Sequence, residues 1–255
     1  MNSGGLERSA GRTKHRAMIE FVPAPATLPP QTRVYAVGDV HGCLDQLTAL
    51  HAAIAADLAA RPVADPLLLH IGDYIDRGPD SAQVIAWLHG PSPVPGARRV
   101  HLLGNHEEML LAALDAEDAT PAANWLQNGG RETLASWSIG QKLPHTAWLE
   151  RLPPADVAFL RGLSLVHREG GYLFAHAGIR PGIPLENQQR RDLVWIREPF
   201  LSFRGDLGAV VVHGHTPHPA PVVRPNRIGI DTGAVYGGQL TCAVLETDRL
   251  GFLST

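Results

Sequence analysis

Five short stretches of the 255-residue chain gather side chains that bind metals or move protons. They are Gly38-Asp39-Val40-His41-Gly42, Gly72-Asp73-Tyr74-Ile75-Asp76-Arg77-Gly78, Gly104-Asn105-His106-Glu107, His176-Ala177-Gly178 and His213-Gly214-His215-Thr216. Carboxylate, amide and imidazole donors without thiolate suit Mn²⁺, Fe or Zn²⁺, not an iron–sulfur cluster or a structural zinc. The candidates Asp39, His41, Asp73, Asn105, His176 and His215 are more than one four-coordinate ion uses. The excess points to two ions sharing a carboxylate, an arrangement with ions about 3.5–4 Å apart that hydrolyses phosphate esters. Each stretch alone has a plainer reading. Asp39-x-His41 could be a turn, Asn105 a helix N-cap, and His176 a packed core histidine. Five together, each at the end of an expected strand, are not explained that way.

Converging side chains need a scaffold that brings these stretches to one edge. Short β-branched or apolar runs at Val34–Val37, Leu67–Ile71 and Val100–Leu103 predict buried strands. Helical patterns at Leu44–Ala60, Ser81–His89 and about Glu107–Ala116 alternate with them, which is the βαβαβα order of a parallel sheet. Ligands bind at the carboxyl ends of such strands, where the first three stretches fall. Residues 120–161, with Trp125, Trp137 and Trp148, read as a helical insertion over one face. Beyond it, strands are expected at Leu163–His167, Gly171–Ala175, Ala209–Val212, Arg227–Ile230 and Gln239–Leu245, and their close turn signals predict a more antiparallel half.

Composition narrows the function. With 44% hydrophobic and 18% charged residues the chain is not intrinsically disordered, and a net charge of −3 gives no footprint for nucleic acid. Cys43 and Cys242 make neither a disulfide framework nor a zinc set, which fits a cytoplasmic location. No signal peptide or 18-residue apolar run is visible, so no membrane association is expected beyond a weak amphipathic option at the start. Residues 1–31, ending in Pro23, Pro25, Pro29 and Pro30, read as a flexible leader to a single domain spanning 32–255. Oligomeric state is not readable.

The ordered set GDVHG, GDYIDRG, GNHE, HAG and HGHT resembles the phosphoprotein phosphatase branch of the calcineurin-like metallophosphoesterases, in particular its small bacterial and phage serine/threonine members. The likeness runs from about Val34 to Leu245, and includes Leu193-Val194-Trp195-Ile196-Arg197-Glu198 and Ile230-Asp231-Thr232-Gly233-Ala234. It implies an α/β fold, a four-layer α/β/β/α sandwich with a helical insertion. Two divalent ions are implied, Mn²⁺ before Fe, Zn²⁺ or Co²⁺. By motif, Asp39, His41 and Asp73 would hold one ion; Asp73 would bridge; Asn105, His176 and His215 would complete the other. His106 would be the general acid, oriented by Asp76, and Arg77 and Arg197 would grip the phosphate. A metal-bridging hydroxide would attack phosphorus, so no protein nucleophile is needed.

The substrate implied is a phosphorylated protein or peptide, with phosphoserine or phosphothreonine as the ester and phosphotyrosine as a further option. A symmetrical diadenosine tetraphosphate hydrolase, or another enzyme of small phosphate esters, is the alternative. Those hydrolases usually read close to GDLVARG where this chain keeps Asp76-Arg77. A catalytically silent binding module is the third reading, disfavoured because all six ligands are present. Among the remaining residues, His70 and His101 read as packed. His213 reads as packed or supporting the site, Cys43 as a small packed side chain or a reactive thiol, and Asn128, Gly129 and Arg131 as possible substrate contacts.

Overall fold

Alternation along the strands sets the layers. The computed structural model describes residues 19–140 and 142–255. Its first sheet contains β1 (Val22–Pro23), β2 (Thr32–Val37), β3 (Asp65–His70), β4 (Arg98–His101), β10 (Thr241–Glu246) and β11 (Arg249–Ser254), in the order β1-β11-β10-β2-β3-β4. The second contains β5 (Val166–Glu169), β6 (Tyr172–Ala175), β7 (Val210–His213), β8 (Val222–Arg224) and β9 (Arg227–Gly229), in the order β5-β6-β7-β9-β8. On β2, Val34 and Ala36 face the second sheet, where Tyr172, Phe174, Val212 and Ile228 meet them. Tyr35 and Val37 face the other way, into a core closed by helices α1 (Leu44–Ala60), α2 (Ser81–His89) and α3 (Asn105–Asp115). Leu173 and Ala175 on β6 face outward onto Leu193 and Val194 of the short helix α7 (Arg190–Trp195). This period-2 alternation gives helix, sheet, sheet, helix in section, the expected four-layer α/β sandwich.

β2, β3 and β4 are parallel, as the βαβ order requires, and β10 closes on β2 antiparallel. The second half differs from expectation. β6, β7 and β9 run parallel, and only the edge strands β5 and β8 are antiparallel. The chain between β6 and β7 carries α7 and so makes a crossover, not a hairpin. The strands β1, β8 and β11 had no sequence expectation. Of the expected flexible leader, residues 1–18 lie outside the described residues, whereas residues 19–31 are held. Val22 pairs with Leu250, Leu28 is buried, and the Tyr172 hydroxyl donates to Ala26 O at 2.7 Å. Residues 120–161 include α4 (Thr120–Trp125), a π-helical turn at Leu126–Gly130, α5 (Arg131–Ser136) and α6 (Pro154–Arg161). They bury Trp125 and Trp148 against the α1–α3 side. No helix among the described residues is long and apolar enough to cross a membrane.

Candidate metal centre

The carboxyl ends of five strands supply the candidate residues. Asp39 and His41 follow β2, Asp73 follows β3, His176 follows β6 directly and His215 follows β7. After β4 the chain enters α3 at once, two residues earlier than expected, with Gly104 as N-cap. Asn105 therefore does not cap the helix. Its side chain turns inward, with Oδ1 2.9 Å from His176 Nε2 and 2.8 Å from His215 Nδ1. Gly104 is required here because a Cβ would run into Asp73 Oδ1 and the Asp73 amide.

Asp73 stands between two groups. Its Oδ2 is 3.4 Å from His41 Nε2 and 4.0 Å from His106 Nε2, while its Oδ1 is 3.3 Å from His176 Nε2. Ligand atoms of His41, Asp73 and His106 lie within 4.8 Å of one another, as do those of Asp73, His176 and His215. Asp73 is thus common to both groups, the position a bridging carboxylate occupies. Asp39 falls in neither group; its Oδ2 accepts the His215 amide at 2.9 Å. His106, expected as an acid, lies within ligand distance of the first. His41 and His176 donate their Nδ1 protons to Ile75 O and Ile71 O at 2.8 and 3.1 Å, which presents Nε2 to the centre. Backbone carbonyls orient metal-binding imidazoles in this way. Asp39 Oδ1 and His215 Nε2 are buried without a hydrogen-bond partner. Unpartnered buried donor atoms among carboxylate, amide and imidazole fit a pair of divalent ions.

The charges are arranged to match. Burial opposes a proton on His176, yet Asp73 and Asp39 outweigh it and push this imidazole up to about 9. Burial likewise opposes the Asp73 carboxylate, and His176 and His106 outweigh it, holding the group well below its usual range. His41 and His215 are pushed down to about 3 by burial, leaving neutral rings with lone pairs to share. Asp39 is pushed well above the usual carboxylate range by burial and by the neighbouring charge of Asp231. A cation would relieve that repulsion.

Beside this centre His106 Nδ1 lies 2.7 Å from Asp76 Oδ2. Asp76 is fully buried and also accepts Trp125 Nε1 at 2.9 Å and Thr133 Oγ1 at 2.6 Å. Burial pushes the Asp76 carboxyl up and the His106 ring down, the latter to about 4. Arg77 Nη1 is 2.6 Å from His41 Nε2, so its guanidinium sits at the mouth of the centre. Its other face lies 5.6 Å from the ring of Tyr236, which is 64% exposed. Arg197 is exposed two residues past α7, and its charge helps keep His215 neutral.

Of the other singled-out residues, Gly129 lies against the site. At φ 105° it presents its carbonyl to the Arg77 amide at 3.2 Å. Asn128 is exposed and donates to Asn124 O, while Arg131 is exposed at the start of α5. His213 packs away from the centre against Phe200 and Arg227. Cys43 is half-buried, with its thiol toward His41 O and its pKa raised by burial.

Sequence reasoning missed what holds the loop. Glu107, fully buried, accepts four backbone N–H groups, those of Tyr74 and Ile75 at Oε1 and of Asp73 and Gly104 at Oε2, at 2.7–3.2 Å. Among the described residues, eight non-glycine residues have positive φ, and His41, Asp73, Asp76, Arg77 and His215 are five of them. Such conformations cost about 1–3 kcal/mol each and persist where surrounding bonds enforce them. Glu107 supplies that enforcement for the Asp73–Asp76 turn. Trp125, Thr133, Asp231 and Tyr236 were likewise given no role. An acidic residue at the third position of a helix following a glycine N-cap was the available signal for Glu107.

The calcineurin-like phosphoesterase pattern matches residues 32–249. The chain belongs to this family. It is 35% identical over 218 residues to serine/threonine-protein phosphatase 1 of Salmonella typhimurium, covering 84% of this chain and 92% of that one. It is also 30% identical over 227 residues to the asymmetrical bis(5'-nucleosyl)-tetraphosphatase PrpE of Anoxybacillus flavithermus, covering 80% and 87%. Among solved structures, a candidate diadenosine tetraphosphatase superposes with TM-score 0.61 at 24% identity over 90% of this chain and 98% of the other, a likeness of fold. As a calcineurin-like phosphoesterase the chain is a metal-dependent hydrolase of phosphate esters, and its two Asp73-centred groups fit a dinuclear divalent site.

Proposed function

We propose that this phosphoesterase removes phosphate from phosphoserine and phosphothreonine in proteins, with phosphotyrosine as a further ester, in the cytoplasm and with Mn²⁺ as its metal. The observation that carries the reading is the Asp76–Arg77 pair. Asp76 holds His106 by a 2.7 Å bond, and Arg77 reaches His41 at 2.6 Å, so an acid and a cation flank the centre together. The likeness to serine/threonine-protein phosphatase 1, over 92% of its length, supports the same substrate class.

In this reading Asp39, His41 and Asp73 would hold one ion, and Asp73, Asn105, His176 and His215 the other. Once bound, such a pair would supply an activated water and offset charge on the phosphoryl oxygens. Arg77 and Arg197 bind and orient the non-bridging oxygens. Asp76 fixes the His106 ring through Nδ1, which leaves Nε2 to protonate the leaving oxygen. The resting His106 is neutral, pushed down to about 4. An incoming phosphoester dianion raises its proton affinity, so the working proton is carried by the enzyme–substrate complex.

A second reading, hydrolysis of dinucleoside tetraphosphates, is supported by the PrpE likeness over 87% of that protein. The two separate in one experiment. Metal-stripped protein is reloaded with Mn²⁺ and given a phosphothreonine peptide and diadenosine tetraphosphate side by side, with His106→Asn as control. Fast Mn²⁺-dependent phosphate release from the peptide is expected. Faster nucleotide release from the dinucleotide would move the substrate to the second class.

A further inference from the structure

Arg197 has to reach the phosphate from a loop, and the helix that delivers it is too short to place itself. α7 spans only Arg190–Trp195, and an isolated helix of this length is unstable in water. Its position is therefore set by what grips it. On one side it is tied to the His176 loop. Ala177 N donates to Leu193 O at 2.8 Å, and Arg180 forms a bidentate pair with Asp192 at 2.6 and 2.7 Å. On the other side one carboxylate catches both ends. Glu108 Oε1 accepts Arg190 Nε at 2.6 Å, and Glu108 Oε2 accepts Trp195 Nε1 at 2.7 Å.

Glu108 belongs to the first turn of α3, the turn that bears Asn105 and His106. The Trp195 ring it holds stands edge-on to His215, with centroids 6.2 Å apart. Beyond Trp195, Ile196 is buried and Arg197 O accepts the Leu201 amide at 2.9 Å, so little play remains between latch and arm. A solvent-facing carboxylate–arginine pair alone adds little to stability. The geometry here serves placement more than stability.

We infer that Glu108 is a positioning residue that latches α7 to α3 and so fixes the Arg197 arm relative to His106 and the metal centre. The inference rests on the proposed assignment of Arg197 to the phosphate. Glu108 touches no reacting atom, and its effect on phosphate binding runs through the placement of Arg197.

The test uses the full chain loaded with Mn²⁺ and inorganic phosphate as competitive inhibitor of phosphothreonine-peptide hydrolysis. Glu108→Ala, Arg197→Ala and the double variant are compared, with metal content and melting temperature recorded. Glu108→Ala is expected to weaken phosphate inhibition and raise KM by about tenfold, with a smaller change in kcat and unchanged metal content. Glu108→Gln, whose amide oxygen still accepts the Trp195 N–H, should fall between Glu108→Ala and the parent. In the Arg197→Ala background, Glu108→Ala should add nothing, because the arm it places is gone. An equal loss in both backgrounds, or none in the parent, overturns the latch. If Arg197→Ala itself leaves phosphate inhibition intact, the assignment of Arg197 fails first, and the latch falls with it.

Discussion

Among the described residues two clusters of histidine are buried, and they are built on opposite plans. At the metal centre His41, His106 and His176 surround the Asp73 carboxylate, and His176 and His215 share Asn105 Oδ1. Under the helices of the first sheet, His70 contacts both His51 and His101. His51 Nε2 lies 2.8 Å from His70 Nε2, His70 stacks on His101 at 4.9 Å, and Trp87 Nε1 donates to His51 Nδ1 at 2.9 Å. The charges bearing on His70 come from His101, His51 and Arg99, all of one sign. Burial is comparable, and the outcome differs at one ring, His176. Burial takes His41 and His215 down to about 3 and His106 to about 4, as it takes His51 and His101 down to about 4. At His176 the carboxylates win and push the ring up to about 9. Interleaved acid, not the number of imidazoles, separates a cation site from packed rings.

Removing the acid from the first cluster should make it behave like the second, with the largest effect of any single change. Asp73→Asn keeps the shape and removes the charge shared by both ligand groups. The variant should lose bound Mn²⁺ on dialysis and with it turnover, while remaining folded. Two ions per chain retained after dialysis would contradict the bridging assignment. A smaller, cleaner break comes from His106→Asn. That variant should keep both ions, because six other donors remain, and lose roughly 10²–10⁴ in turnover, the usual contribution of a positioned acid. Unchanged kcat with metal bound would take His106 out of the proton path.

The same contrast explains what the sequence made legible. Asp39, His41, Asp73, Asn105, His176 and His215 could be singled out because each lies within two residues of a glycine at the end of an apolar run, and the sheet edge gathers them. α1 and α2 occupy their expected spans, since Pro62 and the Gly78-Pro79 break mark ends that propensity alone decides. Asn105 was ambiguous between cap and ligand. In the fold Gly104 takes the cap position and Asn105 turns toward His176 and His215, which arrive from the second sheet, and that is a tertiary fact. The parallel run β6-β7-β9 was unreadable for a similar reason: turn residues announce a break in the chain but not where it returns. Glu107 was hidden because its work is on backbone N–H groups, which leave no mark on neighbouring side chains. Strand β1 was lost among prolines, although Pro23 is tolerated there because the strand lies at the edge of its sheet.

The acid-free cluster yields the smallest effect, seen in stability and not in rate. His51 accepts the Trp87 N–H at Nδ1, so its own proton is on Nε2, donated to His70. A second proton on His51 would break one of those bonds and place charge beside His70, His101 and Arg99. The unfolded chain gains that proton below about 6.5, whereas the folded chain resists it until about 4. Stability is therefore intact above pH 6.5 and declines as pH falls from 6.5 toward 4, by up to about 1.4 kcal/mol per pH unit for each such histidine. His41 and His215 add their own decline, so the slope of the parent protein alone assigns nothing. His51→Gln keeps an acceptor and a donor but cannot titrate. Its unfolding free energy in urea, measured at pH 7 and pH 5, should fall less than the parent's by about one histidine's share. Parallel declines in the two proteins would mean that His51 is already protonated in the fold, and that a counter-charge reaches the second cluster as Asp73 reaches the first.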